Sequence, residues 1–354
     1  KKGVKEIEKI DIKSMTIPEL EGLMKEWGEP KFRAGQIFQW LHQKRVLTFE
    51  AMQNLPLPLR QKLLERCRIT AFTVERKLIS ALDGTIKYLY RLPDGEYVES
   101  VFMRYEHGNS VCISTQVGCK MGCSFCASTK AGFVRHLTPS EILEQVYAPL
   151  RDTGEPVDSL VLMGIGEPLD NYDNVLRFLE LLNDPKGLNM SLRHVSLSTC
   201  GLVDKIYDLA DRNLQLTLSI SLHASNDRVR DEIMPINHRY KIAELLKACQ
   251  YYTNKTHRRI SYEYSLIRGV NDTPEQAEEL AKLLKGMLCH VNLIPVNYVE
   301  EAGFRSTGRQ QIYAFQKALQ QHGINATIRR TLGADISAAC GQLRRTAIRE
   351  HPAR

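Results

Sequence analysis

The sequence predicts a parallel α/β fold preceded by a small α+β region. From about residue 110 onward, short apolar runs alternate with amphipathic helical stretches, the pattern of repeated βα units. The residues before that point carry helix starts and a hairpin signal instead. The ends of the later apolar runs are crowded with cysteine, glycine, serine and histidine, and parallel folds gather their reactive groups at those ends.

Taken in order, Thr16-Ile17-Pro18-Glu19 reads as a helix start, and Phe32, Ile37, Phe38, Trp40 and Leu41 supply an apolar face. Pro56 and Pro58 interrupt the helical pattern. Residues 85–91 and 97–101 alternate as strands around the turn Pro93-Asp94-Gly95. Strands are then expected near 110–117, 158–163, 193–199, 214–222, 259–267, 289–296 and 325–330, with helices at 139–150, 172–183, 241–253, 274–286 and 309–322. The strand ends carry Cys119, Cys123 and Cys126, then Gly164-Ile165-Gly166-Glu167-Pro168, Ser198 to Gly201, Ser221-Leu222-His223, Asn297, and last Asp335 with Cys340.

Composition narrows the class. A chain of 354 residues, 43% hydrophobic, can bury a full core. No apolar run approaches the roughly 18 residues that span a bilayer, and the Lys1-Lys2 start lacks a secretory stretch. Nine cysteines, three of them within eight residues, do not suit a disulfide framework, so a reducing cytoplasm is expected. The net charge of +7 sits in the C-terminal tail, where Arg305 to Arg354 hold nine Lys/Arg against Asp335 and Glu350. Such a tail can neutralise phosphates or simply form a solvated surface.

Three thiolates spaced C-x3-C-x2-C can hold three corners of a cubane and leave the fourth iron open, as a catalytic metal requires. Zinc and a plain ferredoxin cluster are the alternatives, although the second Cys/His pair of a zinc ribbon or finger is missing from the motif. With Phe125 before its last cysteine, the motif resembles that of the radical S-adenosylmethionine (SAM) superfamily. The resemblance narrows to the adenosine C2-methyltransferases of ribosomal and transfer RNA through Lys31 to Ile37, Gln116 to Cys119, Gly166 to Leu169, Ser221 to Ala224, Met234 to Asn237, Asn292 to Pro295 and Ala339 to Leu343.

That resemblance implies a partial (βα)6 TIM-like barrel over 106–300. It is preceded by a helical RNA-binding domain (1–75) and a hairpin extension (76–105), and followed by a basic tail with the catalytic cysteine (301–354). It implies a [4Fe-4S] cluster on Cys119, Cys123 and Cys126, and SAM contacts at Gly166, Glu167, Ser198, Ser221, Leu222, His223 and Asn297. Cys340 would carry a methyl group taken from one SAM, and a radical from a second SAM would activate it for addition to C2. Cys112 would resolve the resulting crosslink, and Glu99 would accept the C2 proton. Expected partners are 23S rRNA before ribosome assembly, tRNA at the base next to the anticodon, and a small electron donor such as a flavodoxin, with the enzyme acting as a cytoplasmic monomer. Arg329, Arg330, Arg344, Arg345 and the Lys31–Lys44 region would hold phosphates. Cys200 stands where that family often has serine, and Cys67, Cys249 and Cys289 read as packing. A related C8-methylating resistance enzyme typically has alanine at the place of Pro168, so the sequence favours C2. An electron-transfer protein is the remaining alternative.

Overall fold

A computed structural model describes residues 9–295, 303–336 and 342–350. The N-terminal unit begins with β1 (Ile10–Asp11), followed by α1 (Ile17–Glu26), α2 (Phe32–His42), α3 (Leu57–Arg66) and β2 (Cys67–Arg68), the last pairing with β1. Thr16 caps α1 in a reciprocal box, its backbone N–H donating to Glu19 Oε2 at 2.7 Å. Ala34, Ile37, Phe38 and Leu41 form the buried stripe of α2.

Lys13 ties this unit to the remainder. Its Nζ lies 2.6 Å from Glu144 Oε2 with both side chains buried, and it also donates to the Thr70 carbonyl, while Arg151 holds the other Glu144 oxygen. Burial pulls the Lys13 pKa below its ordinary value, and the Glu144 charge opposes that shift. Removing one partner strands the other in a dry site, so Lys13→Ala is expected to lower stability by about 3 kcal/mol in urea titration. A loss under about 1 kcal/mol would mean that Arg151 alone satisfies Glu144.

Among the described residues, ten strands form one sheet. Its antiparallel wing is β3 (Thr73–Ile79), β4 (Ile86–Arg91), β5 (Tyr97–Tyr105) and β6 (Gly108–Cys112). The hairpin is therefore continuous with the main sheet. From β6 onward the ladder is parallel through β9 (Ser159–Leu162), β10 (Val195–Thr199), β11 (Thr217–Ser221), β12 (Ile260–Leu266), β13 (Cys289–Pro295) and β14 (Ala326–Ile328). Parallel neighbours need crossovers. These are α5 (Pro139–Thr153), α6 (Tyr172–Asn183), α7 (Val203–Asp211), α8 (Asp227–Ile233), α9 (Ile242–Thr256), α10 (Pro274–Leu284) and α11 (Arg309–Gln321).

The expected strand at 110–117 is two strands. After β6 the chain leaves the sheet, and β7 (Gln116–Gly118) pairs antiparallel with β8 (Phe133–His136), with the short α4 (Ala127–Lys130) between them. The break arises because the Gln145 side chain takes both backbone groups of Ser114, accepting from its N–H and donating to its carbonyl at 2.8 Å each.

Alternation along the strands sets the two faces. Val111, Leu160, Leu197, Leu218, Ile220, Tyr262, Tyr264 and Leu293 enter the helix-covered core. The opposite parity holds Cys112, Ser198, Ser219, Ser221, Glu263 and Asn292. The carboxyl ends of β9 to β13 and Arg329 after β14 all line one cavity of about 300 Å³. Laid flat at ~4.8 Å spacing, six strands would span roughly 24 Å. The sheet must curl to enclose that space, and since β3 and β14 are its edges among the described residues it remains a partial barrel. The last element, α12 (Gln342–Glu350), sits Leu343 and Ala347 against Leu89 and Tyr97 on the wing.

Candidate active site

One wall of the cavity is the loop after β7, which brings Cys119, Cys123 and Cys126 to the same space. Gly118 precedes it with φ +78°, and a Cβ there would lie 1.7 Å from the Gly132 carbonyl oxygen, so β7 and β8 can cross only at a glycine. The Cys126 N–H donates to the Cys123 carbonyl at 3.1 Å, and Thr129 Oγ1 donates to the Cys126 carbonyl at 3.0 Å. Burial pushes the Cys119 thiol up to about 12 and the Cys123 thiol higher, with neighbouring thiolates adding to the cost. The positive charge of a bound iron cluster would offset that cost and let three thiolates form with release of their protons.

The donor set fits a cubane better than a single ion. Among the described residues, no three His, Cys, Asp or Glu side chains are placed to hold one metal ion. The three cysteines nevertheless share a cavity, as three outer corners of a cluster would. Cys200 adds a fourth sulfur to the cavity lining, its thiol pushed well up by burial and by the Glu167 charge.

Gly164, Gly166 and Glu167 form the next wall. Gly166 has φ +111°, and a Cβ would meet Gln116 at 2.7 Å. Glu167 is buried, and its carboxylate accepts from the Cys200 N–H at 2.7 Å and the Leu169 N–H at 3.0 Å, binding the β9 loop to the end of β10. Burial raises its pKa and these hydrogen bonds oppose the rise. Ser198 and Ser221 face each other across adjacent strands with their hydroxyls 3.5 Å apart.

His223 completes this side. Its φ is +56°, its Nδ1 accepts from the Ser265 N–H at 2.9 Å, and its ring stands edge-on to Phe125. Burial lowers its pKa to about 3, with Arg230 adding to the effect, so the imidazole is neutral and Nε2 carries the proton.

The other expected residues distribute differently. Leu222 lies in the apolar core, its N–H donating to the Glu263 carbonyl and its carbonyl accepting from Arg230, and it does not line the cavity. Cys112 is buried one layer below, packed with Val101 and Met103 beside Met163, which does line it. Glu99 lies under α12, paired to Lys87 at 3.0 Å and accepting from the Arg344 N–H. Asp335 was expected among the groups at the strand ends. Instead it accepts from Ser80 Oγ and the Ala81 N–H at the β3–β4 turn. Arg344 is no phosphate ligand, because docking of α12 buries it and its Nε donates to the Tyr97 carbonyl at 3.0 Å. Arg329 faces the cavity, while Arg330 is exposed. Asn297, Cys340 and the Arg345 side chain lie outside the described residues.

Glu263 was missed. It is buried, lines the cavity and accepts from Asn292 Nδ2 at 2.7 Å and Ser261 Oγ at 3.0 Å, and burial raises its pKa. Its signal was available in Tyr262-Glu263-Tyr264, a carboxylate held between two large rings in a strand of alternating pattern.

Comparison with known proteins adds to this geometry. The radical SAM superfamily model matches residues 113–284, and the model described as the ribosomal RNA large subunit methyltransferase N-terminal domain matches residues 10–69. The chain is 55% identical over 334 residues to a probable dual-specificity RNA methyltransferase RlmN of Lachnospira eligens, covering 94% of this chain and 95% of that protein. It is 53% identical over 339 residues to the protein of the same name in Alkaliphilus oremlandii, covering 96% and 98%. A solved radical SAM methyltransferase from Sphaerobacter thermophilus superposes with a TM-score of 0.90 at 43% identity, covering 94% of this chain and 98% of that one.

Proposed function

The chain belongs to the RlmN family of radical SAM RNA methyltransferases, which use a [4Fe-4S] cluster and SAM, and from that premise we propose that it methylates C2 of adenosine in 23S rRNA and in tRNA, with Cys340 as methyl carrier. The observation that carries the proposal is the single cavity walled by Cys119, Cys123 and Cys126 on one side and by Gly166, Glu167, Ser198, Ser221 and His223 on the other. The three thiolates would hold the cluster, and the second wall would hold SAM at its open iron.

Cluster and SAM together supply a radical able to take hydrogen from a methyl group, and SAM also supplies that methyl, because the electron-poor C2 cannot attack SAM itself. The Cys340 thiolate takes up the methyl by displacement and keeps it as a thioether until it is joined to the base. Glu99 takes the C2 proton, a role that requires its carboxylate to let go of the Arg344 N–H, and the single electron left on the base would return to the oxidised cluster, leaving a closed-shell thioether-linked base. Cys112 then attacks the Cys340 sulfur, forming the S–S bond as the S–C bond breaks, and the released carbon is protonated to the product methyl. External thiol reduces the pair, which suits a cytoplasmic enzyme.

RNA contacts are assigned to the N-terminal helices, where Phe32 is 61% exposed, Lys31 is exposed and the Lys44 ammonium sits 3.6 Å from the Trp40 ring centre. Such groups combine phosphate neutralisation with stacking. The target base must leave its stack to enter the cavity. A flavodoxin-type electron donor and a monomeric enzyme complete the proposal.

Mass spectrometry of the Cys340 peptide from freshly purified protein is expected to find a methyl group on sulfur. Only unmodified Cys340, together with full activity of Cys340→Ala, would rule out the methylcysteine route.

A further inference from the structure

Arg230, on α8, is fully buried and makes no ion pair among the described residues. A buried guanidinium without a carboxylate is costly unless its donors are otherwise satisfied. Here the acceptors are neutral and come from three places. Nε donates to the Leu222 carbonyl at 3.0 Å, one terminal nitrogen donates to the Cys200 carbonyl at 2.7 Å and the Ser221 carbonyl at 3.2 Å, and the other donates to Asn237 Oδ1 at 2.9 Å. One planar group thus spans the ends of β10 and β11, the strands that carry Ser198 and Ser221.

The same short helix grips the cysteine loop. The Ile233 carbonyl accepts from the Ser124 N–H at 3.0 Å, and Val229, Ile233 and Met234 pack with Cys123 and Cys200. Cluster loop and strand ends therefore meet through α8. Arg230 thus places a buried positive charge on the helix whose Val229 and Ile233 pack against Cys123.

We propose that Arg230 is a positioning residue that holds the cysteine loop and the β10–β11 ends at the separation SAM must bridge, and that it supplies the fixed counter-charge of the cluster. The proposal rests on the reading of this cavity as the cluster and SAM site. Lysine keeps the charge but cannot bridge three carbonyls from one plane, whereas glutamine keeps neither charge nor fork.

The test uses anaerobically reconstituted Arg230→Lys, Arg230→Gln and Asn237→Ala, since Asn237 holds the guanidinium without lining the cavity. All three should load iron and sulfide as the parent does. The SAM dissociation constant is expected to rise about tenfold in both arginine variants, by loss of charged hydrogen bonds, and by less in Asn237→Ala. The cluster reduction potential should stay at the parental value in Arg230→Lys and Asn237→Ala and move to more negative potential in Arg230→Gln. Parental SAM affinity in both Arg230→Lys and Asn237→Ala overturns the positioning role, and an unmoved potential in Arg230→Gln overturns the counter-charge. Failure of the parent itself to load a cluster or bind SAM would count against the site assignment instead.

Discussion

Cys112→Ala enzyme, incubated anaerobically with reductant, SAM and RNA, is expected to accumulate a covalent protein–RNA complex, and Cys340→Ala is expected to accumulate none. In the proposed route the two thiols act at different stages. Without Cys340 there is no methyl carrier, so nothing can be joined to the base. Without Cys112 the base is joined but the thiol that attacks the Cys340 sulfur is missing. The complex should survive denaturing electrophoresis, vanish with nuclease and be absent from the double variant. Global unfolding would not mimic this result: Cys112 is 4% exposed among Val101 and Met103, and truncation to alanine costs on the order of 1 kcal/mol. Normal turnover of Cys112→Ala with no trapped RNA would make Cys112 a packing residue.

Cys123→Ala should lose the cubane and all methylation. Only three thiolates are proposed as ligands, and Cys123 sits against Val229, Ile233 and Met234, where water cannot easily replace a missing sulfur. Iron content and the EPR signal of the reduced protein measure the first loss, and nucleoside analysis measures the second. A normal [4Fe-4S] signal in this variant would remove Cys123 from the ligand set and bring Cys200 forward as the sulfur that replaces it.

Much of the fold was legible in the sequence because the signals are local. The capping box at Thr16 and Glu19, the Pro93-Asp94-Gly95 turn and the alternation in β10 to β12 each lie within a few residues of chain. What was not legible depends on partners far away in sequence. β6 and β7 separate because Gln145 satisfies Ser114 across the fold. Arg344 reads as part of a basic surface, yet α12 docks on Leu89 and Tyr97 and draws it inside. Leu222 neighbours two cavity residues, but strand parity turns it into the core. Arg230 gave no signal, since three of its four acceptors are backbone carbonyls that any sequence provides.

The central claim is methylation of adenosine at C2, and its most direct measurement is nucleoside mass analysis of protein-free 23S rRNA and tRNA after anaerobic incubation with the reconstituted enzyme, reductant and SAM. The account predicts 2-methyladenosine in both RNAs, dependent on reductant. Formation of 8-methyladenosine, or SAM consumption with no methylated adenosine, would contradict it.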